Sequence, residues 1–445
     1  MSLMPNTLRA AVPIKSSNNR YEAHYPAGNK PGSAIALSAT LSSVANAQAN
    51  LQTAIRMGAD FKTISYLQGA LQAAIADGAA YTIPAGSFNF GTNSSAITDF
   101  VGGAALEATA LDTEFNAIMS SKWQHYAADG AAKRWRVKGA YSPPGRTRAL
   151  LWDSTAAENQ SGSTGNQGQS SFVFNPSATI SQLYIRRRAY MDIPSGRTAQ
   201  LKMIRLISYL SGETYPGGGT TDPVYDGWAP NMYWTVSPST GTTGGGKIAT
   251  NNGVSNPPYF AGGAINFDDT YVNWNPNVGD EALPRWDWYD QEFGFKDSSS
   301  FGATDAYMYY TARRVSDGVL VCNHRWGPMQ VSTSGETAHF RGVNFQTGFF
   351  NGDNNGTTYE SGLSKFSQYD IFVSVNSEAR VLLADTSTIT PTTKFETQEL
   401  RPGEWSSGAV GVNLNKGAFA SLSGKYLYVW KSDGTLANTT GIALP

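Results

Sequence analysis

The chain has 445 residues, of which 15% are charged and 12% aromatic, with 46 glycines and a formal net charge of -1. That length predicts roughly two to four domains, and low charge beside abundant glycine and aromatic residues excludes a disordered chain or a helical bundle in favour of loop-rich β-structure. A net charge so near zero gives no long-range field for phosphate, so no nucleic-acid partner is expected. The densest basic run, Arg186-Arg187-Arg188, reads as a strand whose arginines snorkel or pair with acids.

The single cysteine, Cys322, leaves no internal disulfide, and with His324 it lacks the third group of a nucleophilic site. No apolar run approaches the roughly 18 residues of a membrane span, and the amino terminus lacks the pattern of a signal peptide; no membrane partner is expected.

Residues 1–33, polar and rich in Pro, Asn and Gly, are expected to form an extended arm. Residues 34–125 are expected to form a helical attachment or oligomerisation region. Leu37, Leu41, Val44, Gln48, Leu51 and Ile55 follow the steps of four and three of a helix–helix seam. A second helix is predicted from an Asp60 N-cap, with Ile64, Leu67, Leu71 and Ile75 on one stripe and an end at Gly78. A short hairpin follows at Tyr81 to Phe90, about Pro84-Ala85-Gly86, and a third helix at Leu106 to Trp123 carries Leu111, Phe115, Ile118 and Met119. With almost no charge on the first helix, this region reads as an assembly module.

From 126 to 376 the strand signals dominate. Alternating segments lie at Ser181–Tyr190, Ala199–Ser208, Met232–Val236, Ala338–Phe349 and Lys365–Val375. Trp286 to Val321 predicts three strands at the centre of a sheet, the last two joined at an Asp317-Gly318 turn. Alternation puts Trp286, Trp288, Asp290 and Glu292 on one face. Flat aromatics beside hydrogen-bonding acids fit a concave surface for sugar rings, with Trp228, Trp234 and Trp274 as further stacking candidates. The competing reading is an aromatic sandwich core with acids at its edge.

Asp290 and Glu292, i and i+2 on a strand, stand about 6.5–7 Å apart, a spacing that permits glycoside hydrolysis but that any Asp-x-Glu strand meets. His324, His339, Arg341 and Tyr310 could serve lyase chemistry, yet no spacing links them, so no catalytic residue is assigned. Gly352 to Thr357 with Glu360 is oxygen-rich like a calcium loop but omits its third acidic position, and Asp268-Asp269 is weaker still; no metal or other cofactor is expected.

The aromatic strand ending in Glu292, the Ser-rich loop, the Asp317-Gly318 hairpin, Phe340-Arg341-Gly342 and Tyr369-Asp370-Ile371-Phe372-Val373 together resemble concanavalin-like jelly rolls of the polysaccharide-lyase and glucanase type. The resemblance covers about half the chain and implies glycan binding on the concave face. The glucanase Glu-x-Asp-x-x-Glu run is absent, Asp287-x-x-Asp290-x-Glu292 being a distant echo. Residues 377–445, with Ala379 to Ala384, Trp405 to Leu414, Lys425 to Trp430 and an Asp433-Gly434 turn, resemble a small immunoglobulin-like sandwich.

The order of modules is similar to that of phage virion appendage proteins. The expected fold is therefore mainly β: a jelly-roll sandwich with a helical N-terminal region and a small C-terminal immunoglobulin-like sandwich. The expected function is a structural virion or surface-appendage protein, of the capsid-decoration or tail-fibre type. It would be homo-oligomeric or bound to other virion proteins, lie on a virion or extracellular surface, and present a glycan-binding sandwich to polysaccharide or cell-surface glycan. The alternatives are a polysaccharide-degrading lyase or glycoside hydrolase, and a free lectin.

Overall fold

A computed structural model describes residues 13–15, 21–23, 51–58, 64, 77–127, 135–153, 170–192, 199–207, 232–238, 246–251, 272–273, 287–300, 303–329, 340–351 and 365–444. The described chain is mainly β, and every strand pair in it is antiparallel.

Two large sheets face each other. One has seven strands in the order Val272–Asn273, Gly246–Asn251, Met232–Pro238, Ala199–Ile207, Gly342–Asn351, Ser170–Phe174 and Trp123–Ala127. The other has eight: Leu320–Met329, Ala306–Arg314, Trp288–Lys296, Gln182–Asp192, Lys365–Val375, Ala149–Asp153 and Arg136–Lys138 in order, with Ile97–Val101 on the far half of Lys365–Val375. The chain passes from one sheet to the other and back several times, so neither forms alone. Between them lies an aromatic core in which Phe172 stacks on Phe345 at 5.1 Å, while Trp135 touches both Phe172 at 5.7 Å and Phe366 at 5.5 Å and so spans the layers. Each such ring contributes roughly 2–3 kcal/mol by leaving water.

A smaller unit follows, with four strands (Phe395–Thr397, Arg380–Ala384, Tyr426–Trp430, Ile442–Ala443) and three (Glu399–Trp405, Ala409–Asn413, Ala80–Pro84). Val381, Leu383, Val410, Val412, Leu427 and Val429 form its core. Its third sheet strand comes from far earlier in the chain. Ala80–Pro84 pairs with Ala409–Asn413 through Tyr81↔Val412 and Ile83↔Val410, and no return strand follows Gly86, so the expected hairpin at Tyr81 to Phe90 is corrected. Leu51 and Ala54, in the described helical turns at 51–56, are buried in the same core, whereas Ile55 of the predicted seam is 54% exposed.

The predicted helix at Leu106 to Trp123 is also corrected. Gly103–Glu107 is a short helix, Phe115–Ala117 a single 3-10 turn, and Trp123 begins a strand. Asp112 adopts a left-handed conformation, with φ of 64°, that a continuing helix does not allow. The backbone N–H groups of Asp112 and Phe115 donate to the carbonyls of Val137 and Trp135, and that of Val137 donates to Thr113. Donors that a helix would use internally are thus taken by the neighbouring strand. Leu111 is left 49% exposed while Phe115 is buried.

Trp288–Lys296, Ala306–Arg314 and Leu320–Met329 confirm the three strands and the turn, Gly318 having φ of 77°. They form one side of the eight-stranded sheet, and its middle is the pair Gln182–Asp192 and Lys365–Val375. Gly294 permits a close approach there, since a Cβ on it would lie 1.8 Å from Cε1 of Tyr309, its cross-strand neighbour. Gly294→Ala is expected to lower stability by about 1–3 kcal/mol, read from the urea midpoint, because Tyr309 would have to leave its seat. A change within about 0.5 kcal/mol, the ordinary scatter of neutral substitutions, would show that the ring moves freely.

Candidate functional site

The Ile185-Arg186-Arg187-Arg188 run is where sequence alternation sets up the site. Successive side chains on a strand point to opposite faces, so Arg186 and Arg188 share one and Arg187 takes the other. The antiparallel register sets Arg188 opposite Asp290, Arg187 opposite Gln291 and Arg186 opposite Glu292.

Arg187 points into the sandwich core. It donates from Nε to Gln291 and from Nη1 to Gln368, each at 2.9 Å, and lies over the rings of Phe293 and Phe366. Burial pulls its guanidinium down to about 9.

On the opposite face the acids of one strand meet the arginines of the next. Arg188 grips Asp290 with Nε to Oδ1 at 2.8 Å and Nη2 to Oδ2 at 3.0 Å, and Arg186 Nη2 donates to the same Oδ2 at 2.8 Å. Glu292 stands 3.5 Å from Arg186 Nε. The C-terminal unit closes over this face: Arg186 Nη2 donates to the Phe395 carbonyl at 3.0 Å, and Arg188 Nη2 pairs with Glu396 at 2.9 Å. The other oxygen of Glu396 accepts from the Ala418 N–H at 2.9 Å.

A second set of contacts repeats the pattern. Asp370, at a bulge of Lys365–Val375 with φ of 48°, accepts from the Gly103 N–H and from Asn415 Nδ2, each at 2.8 Å. Arg146 donates to Asn415 and, at 2.6 Å, to Asp77, whose other oxygen accepts from the Lys416 N–H at 2.8 Å. At the far end Glu378 accepts from the hydroxyls of Tyr307 at 2.7 Å and Tyr309 at 3.1 Å, while Arg380 lies between Tyr184 and Trp430.

Electrostatics follow from burial. Burial works to raise Asp290, yet Arg186 and Arg188 outweigh it and hold the carboxyl below its ordinary value. Glu396 is pushed up to about 7, mainly by burial, with Arg188 offsetting part of the rise and Asp290 and Asp370 adding to it. Burial likewise raises Asp370. Both Asp290 oxygens are taken by arginine N–H groups, so this carboxylate stays ionised and has no proton to give.

Beside the network lies a crevice of about 150 Å³ whose charged lining is Arg188, Asp290, Arg313, Arg314, Lys394 and Glu396. Its volume is below the roughly 300–1,000 Å³ of ordinary ligand pockets.

Two of the residues predicted for a concave sugar face, Trp288 and Asp290, are not exposed on it. Trp288 is 6% exposed and packed in the sandwich core, Asp290 is 5% exposed, and the C-terminal unit covers the face they were expected to present. Trp234 sits opposite Ile204 and Thr250 in the seven-stranded sheet. Trp228, Trp274, Trp286, the Gly352–Thr357 loop, Asp268-Asp269 and His339 lie outside the described residues. Tyr310 is buried in the core, away from a role in proton abstraction at a surface. Among the described residues no group of three His, Cys, Asp or Glu is placed to hold a metal ion. Glu396, Arg146 and Asp77 were not singled out in the sequence, and Asp370 was named only within the Tyr369 to Val373 motif. The legible signal was the matching Arg-x-Arg and Asp-x-Glu spacing on two strands.

These features define a tandem β-sandwich protein whose charged side chains join its two units. No family model matches the chain, and no curated protein does. Among solved structures it is similar to an alginate lyase from Aplysia kurodai (11% identity, 53% of this chain and 85% of that one, TM-score 0.34). It is also similar to an alginate lyase from Chlorella virus (11%, 57% and 93%, 0.34). A third is a winged bean acidic lectin in complex with methyl-α-D-galactose (8%, 63% and 99%, 0.33).

Proposed function

We propose that the chain is a structural component of a virion or surface appendage, in which a concanavalin-like jelly roll and a C-terminal immunoglobulin-like sandwich act as one rigid display body. The observation that supports it is the buried contact between the units: Asp290, the acid best placed for chemistry on the sheet, is bound by Arg186 and Arg188 and roofed by Phe395 and Glu396. A glycan-degrading enzyme would keep such a carboxylate open to substrate. Asp77 and Ala80–Pro84 extend the same rigid body toward the amino-terminal region, which supplies attachment. Glycan contact in this reading belongs to surfaces other than the roofed face.

Light scattering tests the assembly half of the reading. The full chain is expected to be multimeric at micromolar concentration and to become monomeric when residues 1–50 are removed, a cut that spares Leu51 and Ala54. A monomeric full-length chain would refute it.

A further inference from the structure

We propose that the crevice between the eight-stranded sheet and the C-terminal unit is a binding site for a small oxyanion, a carboxylate, sulfate or phosphate group. Its lining residues include four cationic ones, Arg188, Arg313, Arg314 and Lys394, beside the two acids Asp290 and Glu396. Both carboxylates are already committed, Asp290 to Arg186 and Arg188 and Glu396 to Arg188. The cations are not equally matched. Arg313 donates to the carbonyls of Gly318 at 2.5 Å and Pro391 at 2.6 Å, and Lys394 to that of Ser316 at 2.5 Å; these acceptors are neutral, and the acids that act on Arg313, Glu292 and Asp290, are themselves engaged by Arg186 and Arg188.

The second observation concerns Arg188, one of the residues that line the crevice. The Arg188 side chain is 2% exposed, and its Nη1 has no hydrogen-bond partner among the described residues. A buried guanidinium N–H left unmade costs about 1–3 kcal/mol or more, a cost that an accepting oxygen in the crevice removes. Arg314, with its side chain 25% exposed, stands nearer the rim and pairs with Asp317 at 3.1 Å. Val315 and Phe419 add apolar wall, which lowers the local dielectric and strengthens any charge held there. Burial also pulls Arg313 down from its ordinary value, so an added anion would relieve a desolvated positive charge. The volume of about 150 Å³ suits one oxyanion group, either a free inorganic ion or the acidic group of a single sugar residue.

Calorimetric titration of the full chain at low ionic strength with inorganic phosphate, sulfate, glucuronate and neutral glucose tests the proposal, which does not depend on the virion reading. Oxyanion binding is expected, weakening as salt rises past about 0.1 M. Lys394→Gln and Arg314→Gln are each expected to reduce affinity by roughly three- to tenfold while leaving the urea midpoint unchanged. Binding of phosphate and sulfate alone identifies a free inorganic ion, and binding of glucuronate as well identifies an acidic sugar; either supports the site. It is overturned by absence of binding for all three oxyanions, by equal binding of glucose, or by unaltered affinity in both variants.

Discussion

Arg188→Met is expected to destabilise the chain by about 3–5 kcal/mol, the usual cost of removing one partner from a buried ion pair. Methionine preserves the length of the side chain, so the loss is mainly of charge and donors. Arg188 satisfies Asp290 with two N–H groups and supplies the cation for Glu396, and its strand partner Asp290 and C-terminal partner Glu396 are both almost wholly buried. Asp290 retains Arg186, but Glu396 is left buried with the Ala418 N–H as its remaining donor among the described residues. The urea midpoint measures the total, and hydrogen exchange in Arg380–Ala384 and Tyr426–Trp430 measures whether the C-terminal unit loosens first. Arg188→Met combined with Glu396→Met is expected to recover much of the loss, since removing both partners leaves no orphaned charge. A single variant within about 1 kcal/mol of the parent, less than any buried pair should cost, would mean that the contact does not hold the units together.

Strand periodicity was legible because it is local. Lys365–Val375 and the alternating runs at Ser181–Tyr190 and Ala199–Ser208 emerge nearly as read, and the Asp317-Gly318 turn falls where its left-handed residue requires. Alternation also placed Asp290 and Glu292 on one face. What covers that face is a long-range fact: Phe395 and Glu396 come from a different unit, about a hundred residues away in sequence. A sheet face rich in acids and aromatics looks the same in sequence whether it meets sugar or the arginines of a neighbouring strand and a second sandwich. Leu106 to Trp123 failed for a related reason. Its apolar spacing is helical, but the carbonyls of Trp135 and Val137 take its donors, and no local propensity records that competitor. Leu51, read as part of a seam between chains, finds its partners in the C-terminal core instead.

Stability is expected to fall as pH rises from about 4.5 to about 7, and Glu396 is the reason. Its folded-state value is pushed up to about 7, above the ordinary 4.5, so the folded chain holds a proton that the unfolded chain has already released. The contribution is fully present below the unfolded value and is lost as pH rises through the folded one. A difference of that size corresponds to at most on the order of 3 kcal/mol. Asp370, also raised by burial, acts in the same direction. Asp290 acts in the opposite sense: held below its ordinary value, it adds stability above about 3.8 that disappears as pH falls further. The two trends leave the junction strongest between about pH 4 and 5. The decisive quantity is a difference between variants, which cancels the contribution of every other titrating group. Urea unfolding at pH 5 and at pH 7.5, at one ionic strength, should show the parent losing stability over this interval. Glu396→Gln cannot titrate and should lose markedly less over the interval, the two proteins differing little at pH 5, where the Glu396 carboxyl is itself uncharged in the folded chain. Equal slopes in the two proteins would place the titrating group elsewhere and leave Glu396 ionised throughout, as a plain ion-pair partner of Arg188.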